Sequence, residues 1–146
     1  MKIFPAETDA DIARCFPVMV QLRPKLLETE FVARIRRKEA EAYRLACAAD
    51  DRGVVRSVAG FRPMDRLHVG RVIYVDDLVT DAASRSQGYG DALFDWLVAR
   101  ARELGCASLT LDSGTHRTDA HRFYLRKRMK ISAFHFDLPL NEVSKA

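Results

Sequence analysis

A chain of 146 residues, 48% hydrophobic and 30% charged, has the composition of one soluble globular domain, residues 1–146, with material for a single core. No apolar run approaches the roughly 18 residues of a membrane span, and acids interrupt the N-terminal stretch before any secretory apolar segment, so a cytoplasmic protein with no membrane partner is expected. The net charge of +4 comes without a zinc-finger or RNA-binding signature, which argues against nucleic acid, and three separated cysteines and four scattered histidines argue against disulfides and metal.

"KIF" near the start reads as a short strand. In "TDADIARCFPVMVQL", Thr8 is an N-cap candidate followed by acids, and Ile12, Phe16, Met19 and Val20 fall at helical spacing. Pro17 is expected to kink that helix or end it early. "LLETEFVARIRRKEAEAY" gives a second helix with Leu27, Phe31 and Ile35 on one stripe. "RLACAAD" and "VVRSVAGF" flank "DDRG" as a hairpin, and "HVGRVIYVDDLVT" is a longer β-rich run. A helix from about Tyr89 to Leu104 stops at Gly105, "ASLTLD" is a strand, "TDAHRFYLRKRM" is a short helix with Thr118 as cap, and "ISAFHFDL" closes the order as a strand. The expected fold is α/β, a mixed and mostly antiparallel central sheet layered with helices.

"RSQGYGDAL", residues 85–93, places two glycines where a strand ends and a helix begins. The first N–H groups of such a helix have no intrahelical acceptors, and its dipole adds partial positive charge, so the turn suits a phosphate. The donors expected are the amides of Ser86, Gln87, Gly88, Tyr89, Gly90 and Asp91, with Arg85 at the entrance. A Walker A loop is excluded because no lysine follows the second glycine, and a dinucleotide fingerprint because Leu93 stands where its third glycine belongs.

With its flanks, "DDLVTDAASRSQGYGDALFDWL" resembles the acyl-coenzyme A segment of the GNAT acetyltransferase superfamily, and "DAHRFYLRKRM" is similar to that family's later Ala-x-x-Phe-Tyr helix. The resemblance implies acetyl-coenzyme A as co-substrate, its diphosphate on the loop amides and its pantetheine arm along Leu78, Val79 and Thr80 like an added strand. A splayed, bulged strand there would break alternation at Asp77-Leu78-Val79. Two positions depart from the family pattern: Arg117 stands where asparagine is common, and Arg128 where glycine is usual.

The implied chemistry is N-acetylation of a primary amine on a small molecule or peptide. An alkylamine of pKa about 10.4 is neutral only about once in 10³ molecules at pH 7, a deficit of roughly 4–5 kcal/mol, so a base is needed. Asp76 and Asp77 are the candidates, and strand alternation is expected to send them to opposite faces. The resemblance implies the Val79 amide as oxyanion partner and Tyr124 as the acid that protonates the leaving thiolate, with Phe123 turned to the core. The basic run Arg34, Arg36, Arg37 and Lys38 falls toward the implied acceptor side and reads as a solvated face or as a preference for an anionic acceptor. A homodimer is compatible with the resemblance, and a non-catalytic acyl-coenzyme A sensor of the same fold is the alternative to an enzyme.

Overall fold

The computed structural model describes residues 1–141. Strand β1 (Lys2–Pro5) leads into helix α1 (Asp9–Leu22) through a reciprocal cap. The Thr8 hydroxyl accepts from the Asp11 amide at 3.1 Å, and the Asp11 carboxylate accepts from the Thr8 amide at 3.5 Å. Pro17 does not end the helix. A proline in a helix interior costs about 3 kcal/mol, whereas burying Ile12, Cys15, Val18 and Met19 returns about 1.5–3 kcal/mol for each large apolar side chain.

Helix α2 (Glu28–Lys38) ends in a single 3-10 turn, followed by strands β2 (Arg44–Ala49), β3 (Val55–Arg66) and β4 (Gly70–Thr80). Helix α3 (Tyr89–Glu103), strand β5 (Ser108–Leu111) and helix α4 (Thr118–Arg126) complete the regular elements. The sheet order is β1-β2-β3-β4-β5, antiparallel throughout except for the parallel β4–β5 pair. This is the mixed α/β architecture expected.

Alternation along the strands builds two cores. Leu45, Cys47 and Val58 join Ile12, Met19, Phe31 and Ile35 beneath α1 and α2. Ala46, Ala48 and Ala59 face Leu93, Leu97 and Ala101 of α3, their small side chains letting that helix lie close. On β4, Ile73 and Val75 belong to the α3 side, yet Val79 belongs to the α1–α2 side. Four residues should preserve the face. The switch comes from a bulge: Gly60 pairs with Asp77 and Phe61 with Val75, which leaves Asp76 as the extra residue.

The β4–β5 ladder stops at Val75–Leu111. Residues 77–80 therefore keep their ladder to β3 on one side and have no strand on the other among the described residues.

Met1–Leu111 and the described residues from Asp112 onward form two compact units. Within the second, Arg117 is the N-cap of α4 and makes no side-chain cap bond, so Thr118 is the first helical residue rather than the cap. The helix has no buried residue, and Phe123 is half-buried and edge-on to Tyr124 at 5.7 Å instead of pointing into a core. Its end is closed by a bond from the Met129 amide to the Tyr124 carbonyl at 3.1 Å, with Arg128 at φ 64 where glycine was the family's usual residue. The strand expected at "ISAFHFDL" does not form. Residues 131–138 join no ladder among the described residues, and Phe134, Phe136, Leu138 and Leu140 are 80–91% exposed.

Candidate active site

The turn before α3 is built from the strand end outward. Asp81 follows β4 and accepts from Gln21 Nε2 at 2.9 Å and from Ser84 Oγ at 2.8 Å, contacts that hold its carboxyl below the usual carboxylate range. Gln21 in turn accepts from the Ala82 amide at 2.9 Å, so α1 grips the loop through one side chain. Beyond Arg85, Ser86 takes φ 63 and Gly88 φ 89, two left-handed residues that swing the chain into the helix. The N–H groups of Ser86, Gln87, Gly88, Tyr89 and Gly90 donate to no group among the described residues, and positions 85–88 are exposed. Asp91 lies in the first helical turn.

The loop abuts the strand end at Thr80. Leu78, Val79 and Thr80 pair with Ala59, Val58 and Ser57. The buried Ser57 hydroxyl donates to the Val79 carbonyl at 3.0 Å and lies 3.1 Å from Thr80 Oγ1. That fixes one side of the strand end and leaves the open edge described above on the other.

Asp76 and Asp77 do not part to opposite faces. Because Asp76 is the bulged residue, both side chains line one cavity of about 620 Å³ between α1, α2 and β4. Their environments differ. Asp77 is fully engaged: Arg23 Nε donates to Oδ1 at 2.8 Å and the Tyr43 hydroxyl to Oδ2 at 2.6 Å. Tyr43 is buried, and desolvation first, then the Asp77 charge, pushes its hydroxyl far above the tyrosine range. Gly60 is required here, since a Cβ would overlap the Tyr43 hydroxyl and stand 2.7 Å from Asp77 Oδ2. Asp76 has one partner, Arg62 at 3.1 Å on Oδ1, while its Oδ2 is buried without a hydrogen bond among the described residues. Desolvation raises the Asp76 carboxyl above the ordinary value; the Arg62 charge opposes that and the Asp77 charge adds to it.

Sequence reading missed Arg23, Tyr43, Arg62 and Gln21. Arg23 carries the clearest local signal, a cation at the end of α1 just before Pro24. It also donates to the Asp76 carbonyl at 3.1 Å, tying the helix end to the bulge. Tyr124 lies on α4 in the second unit, half-buried. Burial raises its hydroxyl above the tyrosine range against the lowering effect of Arg117.

Residues 8–129 match the family model described as the acetyltransferase (GNAT) family. An uncharacterized N-acetyltransferase of Bacillus subtilis (strain 168), YhdJ, is 36% identical over 116 residues, 79% of this chain and 81% of that protein. Glucosamine 6-phosphate N-acetyltransferase 1 of Oryza sativa subsp. japonica is 35% identical over 119 residues, 76% of this chain and 72% of that one. Among solved structures, a ribosomal-protein-alanine N-acetyltransferase of Brucella melitensis biovar Abortus 2308 superposes with a TM-score of 0.82 at 17% identity, covering 96% of this chain and 100% of that one, a likeness of fold.

Proposed function

The chain belongs to the acetyltransferase (GNAT) family, and from that premise we propose that it moves an acetyl group from acetyl-coenzyme A directly to a primary amine of a small molecule or peptide. The observation that carries this reading is the run of unengaged amides from Ser86 to Gly90 beside a strand end with an open edge. Those amides and Arg85 suit a diphosphate, and residues 78–80 suit an extended amide-bearing arm.

In this reading Asp76 is the base and Asp77 is a positioning residue. Only Asp76 has an unengaged oxygen, and its raised pKa makes it a better proton acceptor than an ordinary carboxylate. The amine nitrogen forms a bond to the thioester carbonyl carbon as its proton passes to Asp76, directly or through water. The Val79 amide is taken up by the β3 ladder, so the amide assigned to the carbonyl oxygen as it gathers charge is that of Leu78, which faces the open edge. The carbon–sulfur bond then breaks, and Tyr124 gives its hydroxyl proton to the thiolate.

Coenzyme binding provides the first test. At a hundredfold excess over Kd a ligand adds about 2.7 kcal/mol, or roughly 5–10 °C in Tm for a chain of this size. Arg85 is exposed and makes no bond among the described residues, so Arg85→Glu should leave the unliganded Tm unchanged and shrink the coenzyme-induced rise. No rise in the wild type, or an undiminished one in the variant, overturns the phosphate-cradle reading. We extend the proposal to a homodimer, which would cover the apolar residues exposed between 134 and 140. Light scattering is expected to give twice the chain mass of 16.6 kDa, and a monomer overturns it.

A further inference from the structure

The spacing of α2 sets one face toward the aspartates. Phe31, Arg34, Ile35 and Lys38 recur at three- and four-residue steps and all line the cavity that holds Asp76 and Asp77. Phe31 and Ile35 are buried and anchor the helix, so Arg34 and Lys38 are carried to the cavity's open side, about 6 Å apart along the axis. Lys25, in the connection between α1 and α2, adds a third cation to the lining.

Two of these cations are uncommitted: Arg34 and Lys25 make no hydrogen bond or ion pair among the described residues. Lys38 lies 4.8 Å over the Tyr43 ring, and its other contact, 3.9 Å to Glu41, whose side chain is 65% exposed, contributes little. Arg23, the remaining cation of the lining, is held by Asp77. Among the described residues Asp76 and Asp77 are the only carboxylates there, with side chains 18% and 13% exposed, so the negative charge lies deep and the positive charge lies outside it. None of the lining residues comes from the glycine loop, so the coenzyme's diphosphate does not account for these cations.

A simple alkylammonium would enter this cavity against a positive field. An anionic group on the same molecule reverses that, and it gives the ligand one charge for the deep carboxylates and one for the cations outside them. We propose that the acceptor is a zwitterion, a primary amine on a short linker to a phosphate, phosphonate or carboxylate. Its amine lies at Asp76 and its anion at Lys25, Arg34 and Lys38. This rests on the acetyl-transfer reading.

The test uses the full chain and three matched acceptors: 2-aminoethyl phosphate, β-alanine and ethanolamine. Thiol release from acetyl-coenzyme A should give at least a tenfold higher kcat/KM for one or both anionic amines than for ethanolamine, the phosphate and carboxylate arms telling which anion fits. In the double variant R34Q/K38Q the ratio should fall toward one, through KM. Equal kcat/KM for all three, or a preference that survives in the double variant, overturns the proposal. Calorimetric titration of the same acceptors into protein loaded with coenzyme A needs no turnover. If no amine releases thiol, acetyl transfer falls, and calorimetry still decides the zwitterion: tenfold tighter binding of an anionic amine, lost in R34Q/K38Q, supports it, and equal binding overturns it.

Discussion

Tyr124→Phe is expected to lower the turnover number about 10²–10⁴-fold, the usual scale for losing a positioned acid, while the Kd for coenzyme A barely moves. The substitution removes one oxygen and keeps the ring. The edge-on contact with Phe123 survives, and so does the main-chain bond from the Met129 amide to the Tyr124 carbonyl that closes α4, so Tm should stay in place. Burial raises the hydroxyl's pKa, which keeps its proton on throughout the neutral range. The sign follows: deprotonation of Tyr124 would abolish the acid only above the ordinary tyrosine value of about 10, so the pH–rate profile carries no descending limb from this group below that. Stopped-flow thiol release with equilibrium titration of coenzyme A separates the two quantities. A rate that stays put, or an affinity that falls with the rate, removes Tyr124 from the acid role.

What the sequence made legible depended on how local the cause was. The capping box at Thr8 and the stripes of α2 and α3 are set by residues within a few turns, and they fold where their spacing says. The glycine turn is local as well, since its left-handed residues and the helix that follows are contiguous in the chain. The two aspartates are different. Alternation is a rule for a regular strand, and whether β4 stays regular is decided across the ladder, where Gly60 faces Asp77 and leaves room for Tyr43. A residue 16 positions away thus determines which way Asp76 points. "ISAFHFDL" fails in the opposite sense: its period-two pattern is sound, but a strand exists only when paired, and residues 131–138 join no ladder among the described residues. Arg128 shows a further limit. A side chain in the left-handed region costs about 1–2 kcal/mol relative to the right-handed one, yet the closing bonds at the end of α4 hold the turn that glycine would otherwise favour.

Asp76→Asn is expected to separate activity from stability. The carboxyl is raised chiefly by desolvation, so the folded chain binds its proton more tightly than the unfolded chain does. Between the two pKa values the folded state therefore carries more protons, and stability falls as pH rises through that window. Above it, the ionised carboxyl is a net cost to the fold. Asparagine has no charge to desolvate and still offers Arg62 an oxygen at the position of Oδ1. Its Tm at neutral pH should accordingly match or exceed the wild type's, as is common where a site holds a group for chemistry at the expense of stability. Catalysis should move the other way. A base works only when deprotonated, so wild-type kcat/KM is expected to climb with pH and level off above the raised carboxyl pKa. The variant should lose about 10²–10³-fold at the plateau together with that limb. Asp77→Asn provides the contrast: its oxygens are held by Arg23 and Tyr43, so it should lower Tm and leave the limb where it was. If the limb persists in Asp76→Asn and disappears in Asp77→Asn, the roles of the two aspartates are exchanged, and the bulge positions the wrong carboxylate for the reaction proposed.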